Sequence, residues 1–158
     1  MLYINHGDIT AVTSGVIAHG VNLQNVMGSG VAKAIYTKWP MVKSLYHAAF
    51  EEFYAKPKLG DAEVLLVASG LYIVNCFTQE RFGKDGKRYA CPNAIELALT
   101  KTLNIMTVTN LCNLHIPRIG CDLGGLDWND DVRPVLLRLA NKYPHIRINV
   151  WEIDKRKL

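Results

Sequence analysis

The sequence predicts an α/β protein, a three-layer α/β/α sandwich around a central mixed sheet of about six strands. Three observations predict it. Short apolar runs of strand length alternate with longer segments whose apolar residues fall at helical spacing. Two of the runs, 63–68 and 71–77, are joined only by Ser69-Gly70, a tight link that puts a hairpin into an otherwise βαβ pattern. The 158 residues are 49% hydrophobic and 20% charged, which suits one full core. No internal repeat and no linker divides them, so a single domain over 1–158 is expected.

Residues 2–6 alternate as a first strand, closed by Gly7-Asp8-Ile9-Thr10. Residues 16–21 make a second strand, apolar apart from His19 and therefore central. A polar, then glycine-rich stretch from Asn22 to Gly30 follows. Val31, Ala34, Ile35 and Trp39 fall at helical spacing until Pro40 stops the helix. Val42, Leu45, Tyr46, Ala49, Phe50 and Phe53 form the apolar face of a second helix, ended by Pro57 and Gly60. After the hairpin, 78–88 is polar, charged and glycine-containing, an exposed loop. Pro92 suits the first turn of a third helix carrying Ile95, Leu99 and Leu103 on one face. Residues 111–116 read as a buried strand and 132–143 as a fourth helix that begins late or bends at Pro134. Residues 147–153 alternate as a closing strand, with Ile148 and Val150 on one face and Trp151 and Ile153 near its end.

Composition narrows the function classes. No apolar run reaches the roughly 18 residues of a membrane span, and Met1 to Asn5 has no secretory pattern. Cys76, Cys91, Cys112 and Cys121 form no C-x-x-C pair, so a reducing cytoplasm is the expected setting. His6, His19, His47, His115 and His145 show no ligand spacing on a shared helix, and neither metal nor cofactor is expected. The net charge of +4 comes partly from Lys155-Arg156-Lys157 and partly from Arg81, Lys84, Lys87 and Arg88. It agrees with an anionic ligand or with weak nucleic-acid contact. Phe82 and Tyr89 among those loop cations add a thin stacking signal for RNA ends.

The stretch Pro117 to Trp128 carries three glycines, a carboxylate and a thiol between a strand and a helix. Glycines at that density leave amide hydrogens uncovered, and successive uncovered amides beside a helix N-terminus hold anions. A second loop of this kind, Gly28-Ser29-Gly30, also follows an apolar strand. Two such loops suit an extended ligand with two phosphates. The dinucleotide fingerprint G-x-G-x-x-G is missing after the first strand, and no Walker lysine follows either loop. Cys121 lacks the following arginine that a cysteine phosphatase uses to lower its thiol pKa, so it reads as packing.

Gly7-Asp8-Ile9-Thr10, His19-Gly20-Val21-Asn22, Val26 to Ile35 and Pro117 to Trp128 together resemble the macro domain, in order and spacing, nearly end to end. The resemblance implies the macro fold and an ADP-ribose ligand. Asp8 would accept from the adenine amino group, with the Ile9 amide beside it. Asn22 and Gly28, Ser29, Gly30 and Val31 would hold the distal ribose. Gly120, Cys121, Leu123, Gly124, Gly125 and Leu126 would wrap the diphosphate, and Trp151 would stack on adenine. Hydrolases that free ADP-ribose from protein carboxylates carry an aspartate where this chain has Ala32. Branches acting on glutamate or DNA use a lysine after the fourth strand, where Phe77-Thr78-Gln79-Glu80 has none, and some use a cradle aspartate where Gly124 stands. The pattern of His19, Asn22, Asn75-Cys76-Phe77-Thr78 and Gly124-Gly125-Leu126-Asp127-Trp128 looks closer to the ADP-ribose 1''-phosphate phosphatase branch. That implies a stand-alone monomer that takes ADP-ribose or its 1''-phosphate, off the membrane, with His19, Asn22 and Asp122 as the catalytic set. Removal of ADP-ribose from protein or nucleic acid, and binding without chemistry, are the competing readings. His19 reads either as a core histidine or as an acid-base group titrating near neutrality. Asp122 stands where most relatives carry glycine, and reads either as a base for the attacking water or as a solvated carboxylate. A loop cation among Arg81, Lys84, Lys87 and Arg88 would meet a terminal phosphate if that loop folds over the site.

Overall fold

The computed structural model describes residues 1–51 and 55–152. Six strands form one sheet in the order β1-β6-β5-β2-β4-β3. In chain order they are β1 Leu2–His6, β2 Gly15–Asn22, β3 Ala62–Ala68, β4 Leu71–Gln79, β5 Asn113–Pro117 and β6 Arg147–Glu152. β1 to β6, β6 to β5, β5 to β2 and β2 to β4 pair in parallel, and β3 runs antiparallel to β4 at the edge. The helices are α1 Gly30–Lys38, α2 Met41–Ala48, α3 Pro92–Val108 and α4 Arg133–Lys142, with a short 3-10 turn at Ile9–Ala11. The three-layer mixed-sheet architecture expected from the sequence is the one observed. No helix among the described residues is long and apolar enough to cross a membrane.

Period-two alternation along the central strands builds both cores. Val16 and Ala18 of β2, Val74 and Cys76 of β4, Leu114 and Ile116 of β5 and Ile148 and Val150 of β6 face α3 and α4. Ile17 and Val21 of β2 and Ile73 and Phe77 of β4 face Ile35, Val42 and Tyr46 of α1 and α2. Burial of both faces explains why β2 and β4 read as nearly unbroken apolar runs.

Several boundaries differ from the sequence expectation, each for a local reason. α2 ends at Ala48, and the amides of Phe50 and Glu51 continue in tighter turns by bonding three residues back. Leu45, expected on its apolar face, is exposed, and Phe53 lies outside the described residues. β5 starts at Asn113 because the Leu111 amide is spent on the Met106 carbonyl at the end of α3. β4 runs on to Gln79, whose carbonyl accepts the Leu23 amide at 3.0 Å. The fourth helix begins late. A π-helical turn at Trp128–Val132, capped by the Asp127 side chain, precedes it, and Pro134 falls in the first turn where its missing N–H costs no bond. Ile153 and the basic tail Lys155 to Lys157 lie outside the described residues.

From β2 the chain moves to β3 and β4 on one side, then returns to β5 on the other. β2 and β5 therefore flank a topological switch point, and the two glycine loops leave their C-terminal ends side by side.

Candidate functional site

A cavity of ≈ 360 Å³ opens at that switch point. His19 to Asn22 of β2 and Pro117 to Gly120 after β5 form its floor. Val26 to Ala32 close one side, and Phe82, Gly83 and Lys84 fold over from the loop after β4. Of the residues expected at the site, it brings together His19, Asn22, Gly28, Ser29, Gly30, Val31, Gly120, Asp122, Leu123 and Gly124. Asp8, Ile9, Cys121, Gly125, Leu126 and Trp151 are not in its wall.

Both loops present bare amides. The N–H groups of Gly28, Ser29, Gly30, Val31 and Ala32 bond to no described residue, and Ser29 adds no side-chain cap to α1. No acidic residue sits in the first turn of α1, so the positive end of its dipole is uncompensated. A Cβ built on Gly28 or Gly30 meets nothing within 4 Å, because open cavity lies there. In the second loop the amides of Gly120, Asp122, Leu123 and Gly124 are likewise unpaired among the described residues, and all four of these residues line the cavity. Those of Cys121, Gly125 and Leu126 are spent on Arg118, Asp122 and Gly120 carbonyls, which gives the loop its shape. Gly125 has φ +76, and a Cβ there would stand 2.0 Å from the Lys87 carbonyl oxygen. The Gly124 carbonyl accepts the Tyr89 and Ala90 amides, tying the cradle to the end of the loop after β4.

The side chains divide into structural and available groups. Asn22 takes the Gln24 amide on Oδ1 at 2.9 Å and donates to the Val26 carbonyl at 2.8 Å. The Tyr46 hydroxyl, buried and pushed up to about 12, lies 2.8 Å from the Asn22 carbonyl. These bonds make Asn22 the brace of the loop leading to Gly28. Arg118 is held by Glu152 and lies 5.2 Å from the Trp128 ring centroid. Arg88 is taken by Asp131 at 2.7 Å, which leaves Lys84 as the loop cation in the cavity wall. Burial pushes the Cys121 thiol up to about 11, consistent with packing.

Of the two readings of His19, the structure favours the core histidine. It is 1% exposed, and burial pushes its pKa down to about 4, so it does not titrate near neutrality. The ring is neutral at pH 7. Its Nε2 lies 2.6 Å from Asn75 Oδ1, and its buried Nδ1 has no partner among the described residues.

Asp8 and Trp151 sit on the same rim of the sheet, at the ends of β1 and β6. Asp8 Oδ1 accepts the Thr10 hydroxyl at 2.7 Å and the Thr10 amide at 2.9 Å, which hold its carboxyl below the usual range. The Trp151 indole lies 3.5 Å from where a Gly7 Cβ would be, and its N–H donates to His115 at 3.0 Å.

No family model matches the chain. The DNA ADP-ribosyl glycohydrolases of Mycobacterium bovis and Mycobacterium tuberculosis are each 22% identical to it over 151 residues, 92% of this chain. The chain spans 40% of the length of these curated relatives. The macrodomain of Mycobacterium tuberculosis DarG superposes with a TM-score of 0.82 at 21% identity, covering 96% of this chain and 97% of that one. The chain has the macrodomain fold. A Thermosipho africanus DarTG structure in complex with ADP-ribose matches with a TM-score of 0.76 at 21% identity over 98% of this chain and 43% of that one.

Within this macrodomain fold, sequence reasoning did not pair Asn75 with His19 or Glu63 with Asn75, and missed Tyr46 as the brace on Asn22. A signal existed for Asn75, an uncharged polar residue inside the apolar run of β4. None existed for Glu63 or Tyr46, which read as an edge-strand charge and a core aromatic.

Proposed function

We propose that this chain binds ADP-ribose along the C-terminal ends of β1, β6, β5 and β2, and hydrolyses the phosphate from ADP-ribose 1''-phosphate. One observation carries the reading. Two adjacent sets of amides unpaired among the described residues, one at the N-terminus of α1 and one in the loop after β5, belong to residues that line a single cavity. A diphosphate between them would satisfy both sets. The row of strand ends from β1 to β2 spans three intervals, about 14 Å, which suits an extended nucleotide with its purine by Asp8 and Trp151 and its distal ribose by Gly28 to Val31.

Fixed amides and Lys84 would stabilise charge on the transferring phosphate, and donors already aimed at that charge lower the barrier without reorganising during the reaction. Asp122, exposed in the cavity wall, would orient a water toward phosphorus. As the new P–O bond forms, the bond to the sugar oxygen breaks and its electron pair stays on that oxygen, which takes up, through solvent, the proton given up by the attacking water. His19, being neutral, supplies a hydrogen-bond acceptor and not that proton. A second reading, release of ADP-ribose from DNA, is favoured by the curated relatives and by Lys84 reaching the cavity from the loop after β4.

Calorimetry with ADP-ribose, followed by phosphate release from ADP-ribose 1''-phosphate and label release from ADP-ribosylated DNA, tests this. Micromolar binding with phosphate release that falls in Lys84→Ala and Asp122→Ala is expected. Label release without phosphate release would transfer the assignment to the second reading. An absence of binding heat at millimolar ADP-ribose would end both.

A further inference from the structure

His19, Asn75 and Glu63 occupy one row across three strands, since His19 is the register partner of Asn75 and Asn75 that of Glu63. The Asn75 amide nitrogen donates to Glu63 Oε1 at 2.8 Å, and Asn75 Oδ1 meets His19 Nε2 at 2.6 Å. A carboxylate only accepts, so Glu63 determines which end of the Asn75 amide points to His19. With the oxygen there, His19 Nε2 must carry the proton, and Nδ1 is left with a lone pair. That Nδ1 is fully buried, has no partner among the described residues, and belongs to a residue that lines the cavity.

We infer that Glu63 is a positioning residue which, through Asn75, locks His19 in its Nε2–H form and so keeps Nδ1 as the acceptor for an O–H donor that enters beside it from the cavity. The donor is a ribose hydroxyl of the ligand or a bound water. This deepens the ADP-ribose reading and rests on it for the identity of the hydroxyl. The relay runs from the half-exposed edge strand β3 to the cavity floor, 12 residues from Glu63 to Asn75 and 56 from there to His19 in sequence. Burial supports it, because an imidazole whose pKa is pushed down to about 4 keeps its lone pair at neutral pH. An unpaired buried nitrogen carries a desolvation cost that a ligand hydroxyl would relieve.

The test is long-range 1H–15N correlation on the uniformly labelled protein, which reports which imidazole nitrogen holds the proton. Wild type should show Nε2–H, and Glu63→Gln should preserve it, because the glutamine oxygen still accepts from Asn75. Glu63→Leu and Asn75→Leu should give a mixture of both forms, with ADP-ribose affinity reduced roughly 2- to 10-fold, as for one lost hydrogen bond. Glu63 is on an edge strand, so its variants fold even if Asn75→Leu does not. A Nδ1 resonance that moves with ADP-ribose and not with ADP assigns the donor to the distal ribose. A Nδ1 resonance already hydrogen-bonded before ligand is added, and unmoved by either, assigns it to water. A proton on Nδ1 in wild type, an unchanged tautomer in Glu63→Leu, or a Nδ1 resonance that is never hydrogen-bonded would overturn the inference. The tautomer is read without ligand, so failure of the relay and failure of ADP-ribose binding give different results.

Discussion

Replacing His19 with glutamine should flatten part of the acid dependence of folding. In the native protein His19 is buried and its pKa lies at about 4 against an ordinary 6.5. Above pH 6.5 the ring is neutral in both states and contributes no pH dependence. As pH falls below 6.5 the unfolded chain binds the proton and the native chain refuses it, so stability is lost with falling pH until the native ring also protonates near 4. The full difference is 6.5 − 4 = 2.5 pH units, or about 3.4 kcal/mol at ~1.36 kcal/mol per unit. Roughly 2 kcal/mol of it should be gone by pH 5. Glu63 acts with the opposite sign, since burial raises its carboxyl and protonation on acidification favours the native state. Comparing wild type with His19→Gln at each pH removes that common contribution. The assay is urea denaturation followed by tryptophan fluorescence at pH steps from 7.5 to 4.5. The wild-type free energy should fall about 2 kcal/mol more steeply than that of the variant between pH 7 and pH 5. Parallel curves would refute the argument that His19 is buried as the neutral ring.

The two glycine loops should separate stability from binding. Gly125→Ala places a Cβ 2.0 Å from the Lys87 carbonyl oxygen at φ +76, so it should destabilise by about 2–4 kcal/mol in the same urea assay, strain and overpacking together. Gly28→Val adds a side chain where nothing lies within 4 Å and φ is ordinary. It should change stability by less than about 0.5 kcal/mol while weakening ADP-ribose binding in calorimetry by about tenfold or more, since the valine would occupy ligand space.

The strands and both glycine loops could be read from local pattern, because alternation and backbone freedom are properties of neighbouring residues. Ser69-Gly70 announced the hairpin, and Pro92 the start of α3. Gly28 to Val31 and Gly120, Leu123 and Gly124 were legible as amide carriers, and the structure places all of them around one cavity. Cys121, Gly125 and Leu126 carry the same motif, yet their amides are consumed within the turn, which no glycine count reveals.

By itself the chain determined an α/β sheet protein with two anion-ready turns, since strand period, helix stops and uncovered amides follow from residue type and short-range sterics. Tertiary structure alone decided that β2 and β5 would be neighbours, that Phe82 to Lys84 would fold over the gap between them, and that His19 would be buried and neutral with Glu63 governing its proton. Those outcomes depend on strand order and on desolvation by residues distant in sequence, and both are set only when the layers close.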